Sequence, residues 1–319
     1  MKKLLLGLGI IGFLVGGYFT ADALLFDGVK ARPIQENGLW ANYFAQDNGQ
    51  AKTTVILIGG GQWGDYWAQY LAQNNMNGLS LPYSGVGDLP ELPEAIALEY
   101  FEKALDWLIA QPEVDPDRIV VMGASRNAEL ALVIATQFPE QVSGVVAYAP
   151  SSVSWSNTVL PYNSDDLKPS WTFKGQAIPF VPMEKMQGGS QEQLDLLGYW
   201  NAGLAKPEAA AAAIPVERIG GPILLISGNN DQVWPSAAMA DSIVARLEQN
   251  NFNHAVTNLQ YEAAGHLIST DPDQKVTQLE GKMNLGGTLY TYNQGGTPEG
   301  DLTAKQAARE ELLLFLRAL

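Results

Sequence analysis

The chain has 319 residues, 46% of them apolar and 17% charged, with no cysteine and a formal net charge of −15. That is a globular composition, long enough for one large α/β domain or two small ones. It excludes disulfides, thiolate metal sites and a cysteine nucleophile, and the acidic field argues against nucleic acid as a partner, since no Lys/Arg cluster offsets it.

Met1, Lys2 and Lys3 precede an uncharged run over residues 4–21, and Ala21-Asp22-Ala23 supplies the small residues of a signal-peptidase site. The run is close to the ~20 residues that span a bilayer. Residues 1–23 are therefore expected to be a cleaved signal peptide or an uncleaved membrane anchor, with a buried helix as the third alternative. In either export case the lysines stay cytoplasmic and the body is exported, periplasmic or otherwise extracytoplasmic. A linker with the first strands fills 24–50, polar around residues 27–35.

From there strand-like and helix-like runs alternate to the C-terminus, which predicts an α/β domain over 51–319 built on a mostly parallel sheet with helices on both faces. Residues 55–58 (VILI) form a buried strand ending at Gly59-Gly60-Gly61, and 78–83 form a weaker one. The glycines lack the dinucleotide-binding spacing, so no nucleotide cofactor is expected, nor any other cofactor or metal. Apolar residues at helical spacing predict a helix over 92–109. Asp115-Pro116-Asp117-Arg118 is read as a turn into a strand at 119–122. A helix at 130–138 and a strand at 142–148 follow.

Residues 151–205, rich in Trp, Pro, Ser and Gly, read as a lid-like insertion, with a poorly packed insertion as the alternative. The alternation then resumes with a strand at 223–227, a helix at 236–250, a strand at 254–261 and a final helix at 302–319.

Gly123-Ala124-Ser125-Arg126-Asn127 lies between an apolar strand and a helix, the setting in which a serine is held on a sharp elbow with its hydroxyl exposed. Ser125 is the candidate nucleophile; the alternative is a serine capping the following helix. A serine needs a base oriented by a carboxylate. Of the two histidines, His266 follows a strand, whereas His254 opens that strand at the opposite edge and reads as a surface residue. Asp231 lies just past the strand at 223–227, as the orienting acid or as a cap for the next helix. The order Ser, Asp, His is that of the α/β-hydrolase fold. For the oxyanion, the Arg126 amide is one expected donor and Gly61 or Gln62 the other, although the glycines alone also fit a tight turn.

These residues, with the stretches at 98–101, 106–108, 123–132, 214–219, 228–236 and 265–268, resemble the acyl-CoA thioesterase and bile acid-CoA:amino acid N-acyltransferase family in its C-terminal catalytic domain, over about 55–267. The resemblance implies an α/β-hydrolase fold with Ser125, Asp231 and His266 as nucleophile, acid and base. Family members with serine resemble the hydrolytic branch, so an ester or thioester acyl group is the expected substrate. Two departures stand out. Asn127 replaces the family's glycine, and the immunoglobulin-like domain of the long members gives way to a linker.

Export also argues against a CoA thioester, which is a cytoplasmic metabolite. The sequence thus leads to an exported serine hydrolase acting on a small-molecule acyl substrate. Acyl transfer to a small amine or alcohol, and an inactive exported binding protein of the same fold, are the alternatives.

Overall fold

The computed structural model describes residues 29–46, 49–159, 166–188, 192–274 and 278–319. The segment 1–23, read as a signal peptide or anchor, lies outside the described residues. Among the described residues no helix is long and apolar enough to cross a membrane. The first elements are a hairpin of β1 (Arg32–Glu36) and β2 (Leu39–Phe44), turned by Asn37 and Gly38 at φ 55° and 73°. Positive φ at both turn positions matches the twist of the paired strands, which is why Asn-Gly suits this place. This hairpin lies within 24–50, where a linker and the first strands were expected, and β1 runs into the segment read as polar. β1 is an edge strand that buries only Ile34, so it offers no apolar run to read.

The chain continues through β3 (Lys52–Ile58), α1 (Gly61–Gln73), β4 (Asn77–Leu81), α2 (Glu99–Ile109), β5 (Val114–Ala124), α3 (Arg126–Gln137) and β6 (Gly144–Tyr148). After the insertion, which contains α4 (Leu196–Leu204), come β7 (Ile223–Gly228), α5 (Ser236–Gln249), β8 (Val256–Tyr261), the hairpin β9 (Glu280–Leu285) and β10 (Thr288–Asn293), and α6 (Pro298–Arg317). The main sheet has the order β1-β2-β4-β3-β5-β6-β7-β8. It is parallel from β4 to β8 and antiparallel at β1-β2 and β2-β4.

Alternation along the central strands divides the core. Ile56, Ile58, Val121, Val145, Ala147 and Leu225 face α2, α3 and α5; Val55, Leu57, Met122, Val146 and Ile226 face α1 and α6. Both faces being covered explains why β3, β6 and β7 read as unbroken apolar runs. The order reverses around β3, with β4 on one side and β5 on the other. The C-terminal ends of β3 and β5 therefore border the crevice where ligands bind in such sheets.

Two expectations need correction, and one element is new. The helix expected from 92 begins at Glu99: Pro90 and Pro93 interrupt the segment, Ala95 takes φ 49°, and Ile96–Ala97 pair instead with the strand Trp171–Phe173. The turn expected at Asp115 to Arg118 is a bulge inside β5, where the pairing with β3 jumps from Lys52–Val114 to Thr54–Ile119. Asp115 holds it by accepting from the Asp117 amide at 3.1 Å and from Arg118 Nε at 2.7 Å. The hairpin β9–β10 was not anticipated between the His266 loop and the last helix.

The described residues of the insertion are well packed, against the loose alternative. Val153, Trp155, Val181, Met183 and Trp200 form a third apolar cluster with Trp234 and Met239, and β9 and β10 lay Met283, Leu285, Tyr290 and Tyr292 against it.

Candidate active site

Ser125 stands alone between β5 and α3, at φ 57° and ψ −125°. A non-glycine residue there stores strain on the order of 1–3 kcal/mol and is held only by its surroundings. Its amide donates to the Tyr148 carbonyl at 2.9 Å, and its carbonyl accepts from Ala128 and Glu129 in the first turn of α3. The hydroxyl makes no cap to that helix. It lies instead 3.0 Å from His266 Nε2, so the capping alternative does not describe it.

His266 Nδ1 lies 2.9 Å from Asp231 Oδ2. The buried Asp231 carboxylate also accepts from the Val233 amide (2.9 Å), the Trp234 amide (3.1 Å) and Ser236 Oγ (2.7 Å). Four donors on one carboxylate fix its direction. Asp231 does not cap α5, whose N-cap is Pro235. The structure thus brings Ser125, His266 and Asp231 together from the ends of β5, β8 and β7, while His254 is exposed.

The loop bearing His266 is fastened on several sides. The His266 amide donates to the Gln294 carbonyl at 2.9 Å, and the Gly265 amide to Asp301 Oδ1 at 2.8 Å. Burial pushes the Asp301 carboxyl up, while the Gly265 amide and Lys305 oppose the shift. Three residues past His266, the Ser269 carbonyl accepts from both Trp63 Nε1 (3.1 Å) and Trp67 Nε1 (3.0 Å) of α1. Trp234 meets the imidazole edge-on at 5.9 Å and links it to Trp200, itself packed on Trp155.

Gly61 and Gln62 are the first residues of α1, and Arg126 is the first of α3. Amides in a first helical turn have no intrahelical acceptor. Two helix N-termini from neighbouring strands in register (Leu57 opposite Met122) therefore open on one crevice, a setting that favours a developing negative charge.

Asn127 does not strain the elbow. Its backbone belongs to α3, and its side chain lies over Gly59, where a Cβ would overlap it. Its Oδ1 accepts from Tyr83 OH at 2.8 Å. The close approach that does require glycine is at Gly123, whose missing Cβ would meet the Asn127 carbonyl.

Sequence reasoning passed over Glu129. It is fully buried and ion-paired to Arg126, and it accepts from Trp171 Nε1 (2.7 Å) and the Trp155 amide (3.1 Å). Burial pushes its carboxyl up and Arg126 opposes the shift. Arg126 NH2 reaches Ser170 Oγ at 2.6 Å, so the pair ties the elbow to the insertion. A lone acid in the apolar run Ala128 to Ile134 was the available signal, since acids are rarely buried unpaired.

The sheet order, the elbow and the three residues that meet above it define the class: this is an α/β-hydrolase. Residues 96–318 match the family described as BAAT / Acyl-CoA thioester hydrolase C terminal, and the chain belongs to that family. It is 28% identical over 309 residues to the mitochondrial acyl-coenzyme A thioesterase 2 of Mus musculus, covering 94% of this chain and 64% of the relative. It is 30% identical over 288 residues to acyl-coenzyme A amino acid N-acyltransferase 2 of Mus musculus, covering 89% and 63%. The chain spans under two thirds of the length of these two curated relatives. In fold it is similar to the uncomplexed acylaminoacyl peptidase of Pyrococcus horikoshii, with a TM-score of 0.53 at 14% identity over 91% of this chain and 42% of that one.

Proposed function

We propose that this protein is a serine hydrolase that releases an acyl group from an ester or thioester through an acyl-Ser125 intermediate. The observation that carries the reading is the unbroken line Ser125 Oγ, His266, Asp231, with steps of 3.0 and 2.9 Å, starting from a residue held at φ 57°. With Nδ1–H donated to Asp231, His266 Nε2 has its lone pair free for the serine proton. Oγ then bonds to the acyl carbon while Nε2 takes the proton, and the carbonyl oxygen becomes an oxyanion. The Arg126 amide and that of Gly61 or Gln62 are its donors. Collapse expels the alcohol or thiol, which leaves with the proton from Nε2. Water repeats the sequence on the acyl-serine and frees the acid.

The names of the relatives extend this reading to acyl-CoA thioesters. Export, which we propose from the N-terminal lysines and apolar run, points instead to esters met outside the cytoplasm. A second reading, transfer of the acyl group to an amine or alcohol, is favoured by the 30% identity to an N-acyltransferase. Incubation with a panel of acyl esters and thioesters, followed by mass analysis of the Ser125 peptide, tests the proposal: an acyl adduct supports it. Absence of any adduct, together with no labelling by a fluorophosphonate, rejects it in favour of a binding protein. Competition between water and a small amine for the adduct separates hydrolysis from transfer.

A further inference from the structure

A cavity of about 230 Å³ opens beside Gly61, with no residue of the insertion in its wall. Its walls include Trp40 and Asn42 of β2, Ser80 of β4, Pro82 beyond it, and Gly61 and Asp65 of α1. A Cβ on Gly61 would meet nothing within 4 Å, so the residue proposed above as an oxyanion donor also borders this cavity. Asp65 lies one helical turn on from Gly61 and half-buried. Its two oxygens share one donor, Asn42 Nδ2, at 3.1 and 3.2 Å. An ionised carboxylate has room for about four donors. No lysine or arginine lines the cavity, and Asp65 has no ion pair among the described residues.

The indole of Trp40 is fixed nearby: its Nε1 donates to Asp88, and the ring lies where a Cβ on Gly87 would be. A carboxylate with spare acceptor capacity beside an aromatic wall, in a molecule of net charge −15, suits a cation and disfavours an anion. The volume suits a compact one.

We propose that this cavity is a subsite for an ammonium group, primary or quaternary, carried by the substrate of the Ser125 site. The inference rests on the hydrolase reading above and narrows it, because it turns the site away from polyanionic leaving groups such as CoA.

Two pairs of esters test it. Choline and 3,3-dimethylbutyl esters of the same short acid place the charge, or its neutral isostere, in the leaving group. Nitrophenyl esters of trimethylglycine and of 3,3-dimethylbutanoic acid place it in the acyl group. We expect kcat/KM to favour the cation by roughly tenfold in one pair, which names the side of the ester that enters the cavity. Asp65→Asn is expected to bring that ratio close to one.

Ratios near one in both pairs, or a preference untouched by Asp65→Asn, overturn the subsite while Ser125-dependent turnover of a nitrophenyl acetate leaves the hydrolase standing. If no ester is turned over, calorimetry with tetramethylammonium decides the cavity separately. Saturable binding that Asp65→Asn removes upholds the cation site, and its absence ends the proposal.

Discussion

The sheet beneath Ser125 and the insertion above it both bury large apolar side chains, yet they are held in different ways. The inner stretches of β3, β5 and β6 bury mainly Val, Ile and Leu, and these strands pair with one another through their backbones. In the insertion the apolar cluster is built largely from tryptophans and methionines, and much of its backbone is irregular. Its polar groups close on side chains: Thr158 Oγ1 donates to the Met183 carbonyl at 2.6 Å, and Ser151 Oγ accepts from Trp155 Nε1 at 2.9 Å. A truncated side chain in the ladder leaves a cavity but not an unpaired backbone. An irregular cap depends on particular side chains, so its stability is local and separable from that of the sheet.

The sharpest way to test that contrast begins at the elbow, where the two regions meet. Ser125→Ala is expected to lower turnover of a nitrophenyl acyl ester on the order of 10⁴-fold or more without unfolding the chain, and His266→Ala added to it should cost little more, because such residues act as one unit. Steady-state rates with thermal melts check both. Wild-type turnover in the single variant would refute the nucleophile.

Glu129→Ala should be the most damaging change to stability, about 3–5 kcal/mol, since it empties a fully buried site and leaves the half-buried Arg126 without its carboxylate; chemical denaturation measures it. The folded protein binds the Glu129 proton more tightly than the unfolded chain does. Its contribution is then fully present below the ordinary glutamate range and declines as pH rises through the elevated folded value. Glu129→Gln should flatten that slope.

Trp200→Ala is expected to cost about 3 kcal/mol, and to do so locally. Hydrogen exchange should speed up in the insertion and the β9–β10 hairpin while β5 and β6 keep their protection. Uniform acceleration would mean that cap and sheet unfold together. Smallest is Tyr83→Phe, about 1 kcal/mol for one hydrogen bond, with a modest fall in kcat and an unchanged KM if Asn127 braces the Gly59 turn as the contacts indicate.

Much of this was legible from residue order. Buried parallel strands announce themselves because both of their faces need apolar side chains, and Ser125 and Asp231 each follow such a strand, whereas His266 follows the half-buried edge strand β8. The oxyanion candidates were readable for the same reason, as glycines and a first helical residue at strand ends. The bulge at Asp115 to Arg118 was not, since a turn and a bulge share one local composition and differ only in what pairs across from them. β9 and β10 escaped because their outward faces are polar and their inward side chains cover the insertion rather than the sheet. The fit of Asn127 was invisible for a different reason: it depends on Gly59 and Tyr83, distant in sequence, and only tertiary contact shows that the space withheld at one position is granted at another.

The shared carbonyl of Ser269 has a kinetic consequence. Two indoles of α1 grip the loop that carries His266, and the same helix begins at Gly61 and Gln62. The proposed base and the proposed oxyanion donor at Gly61 or Gln62 are therefore fastened to one helix. Swinging the histidine aside would break both indole bonds. Substitutions at Trp63 or Trp67 should therefore slow the acyl-transfer step more than substrate capture, a division that single-turnover measurements resolve.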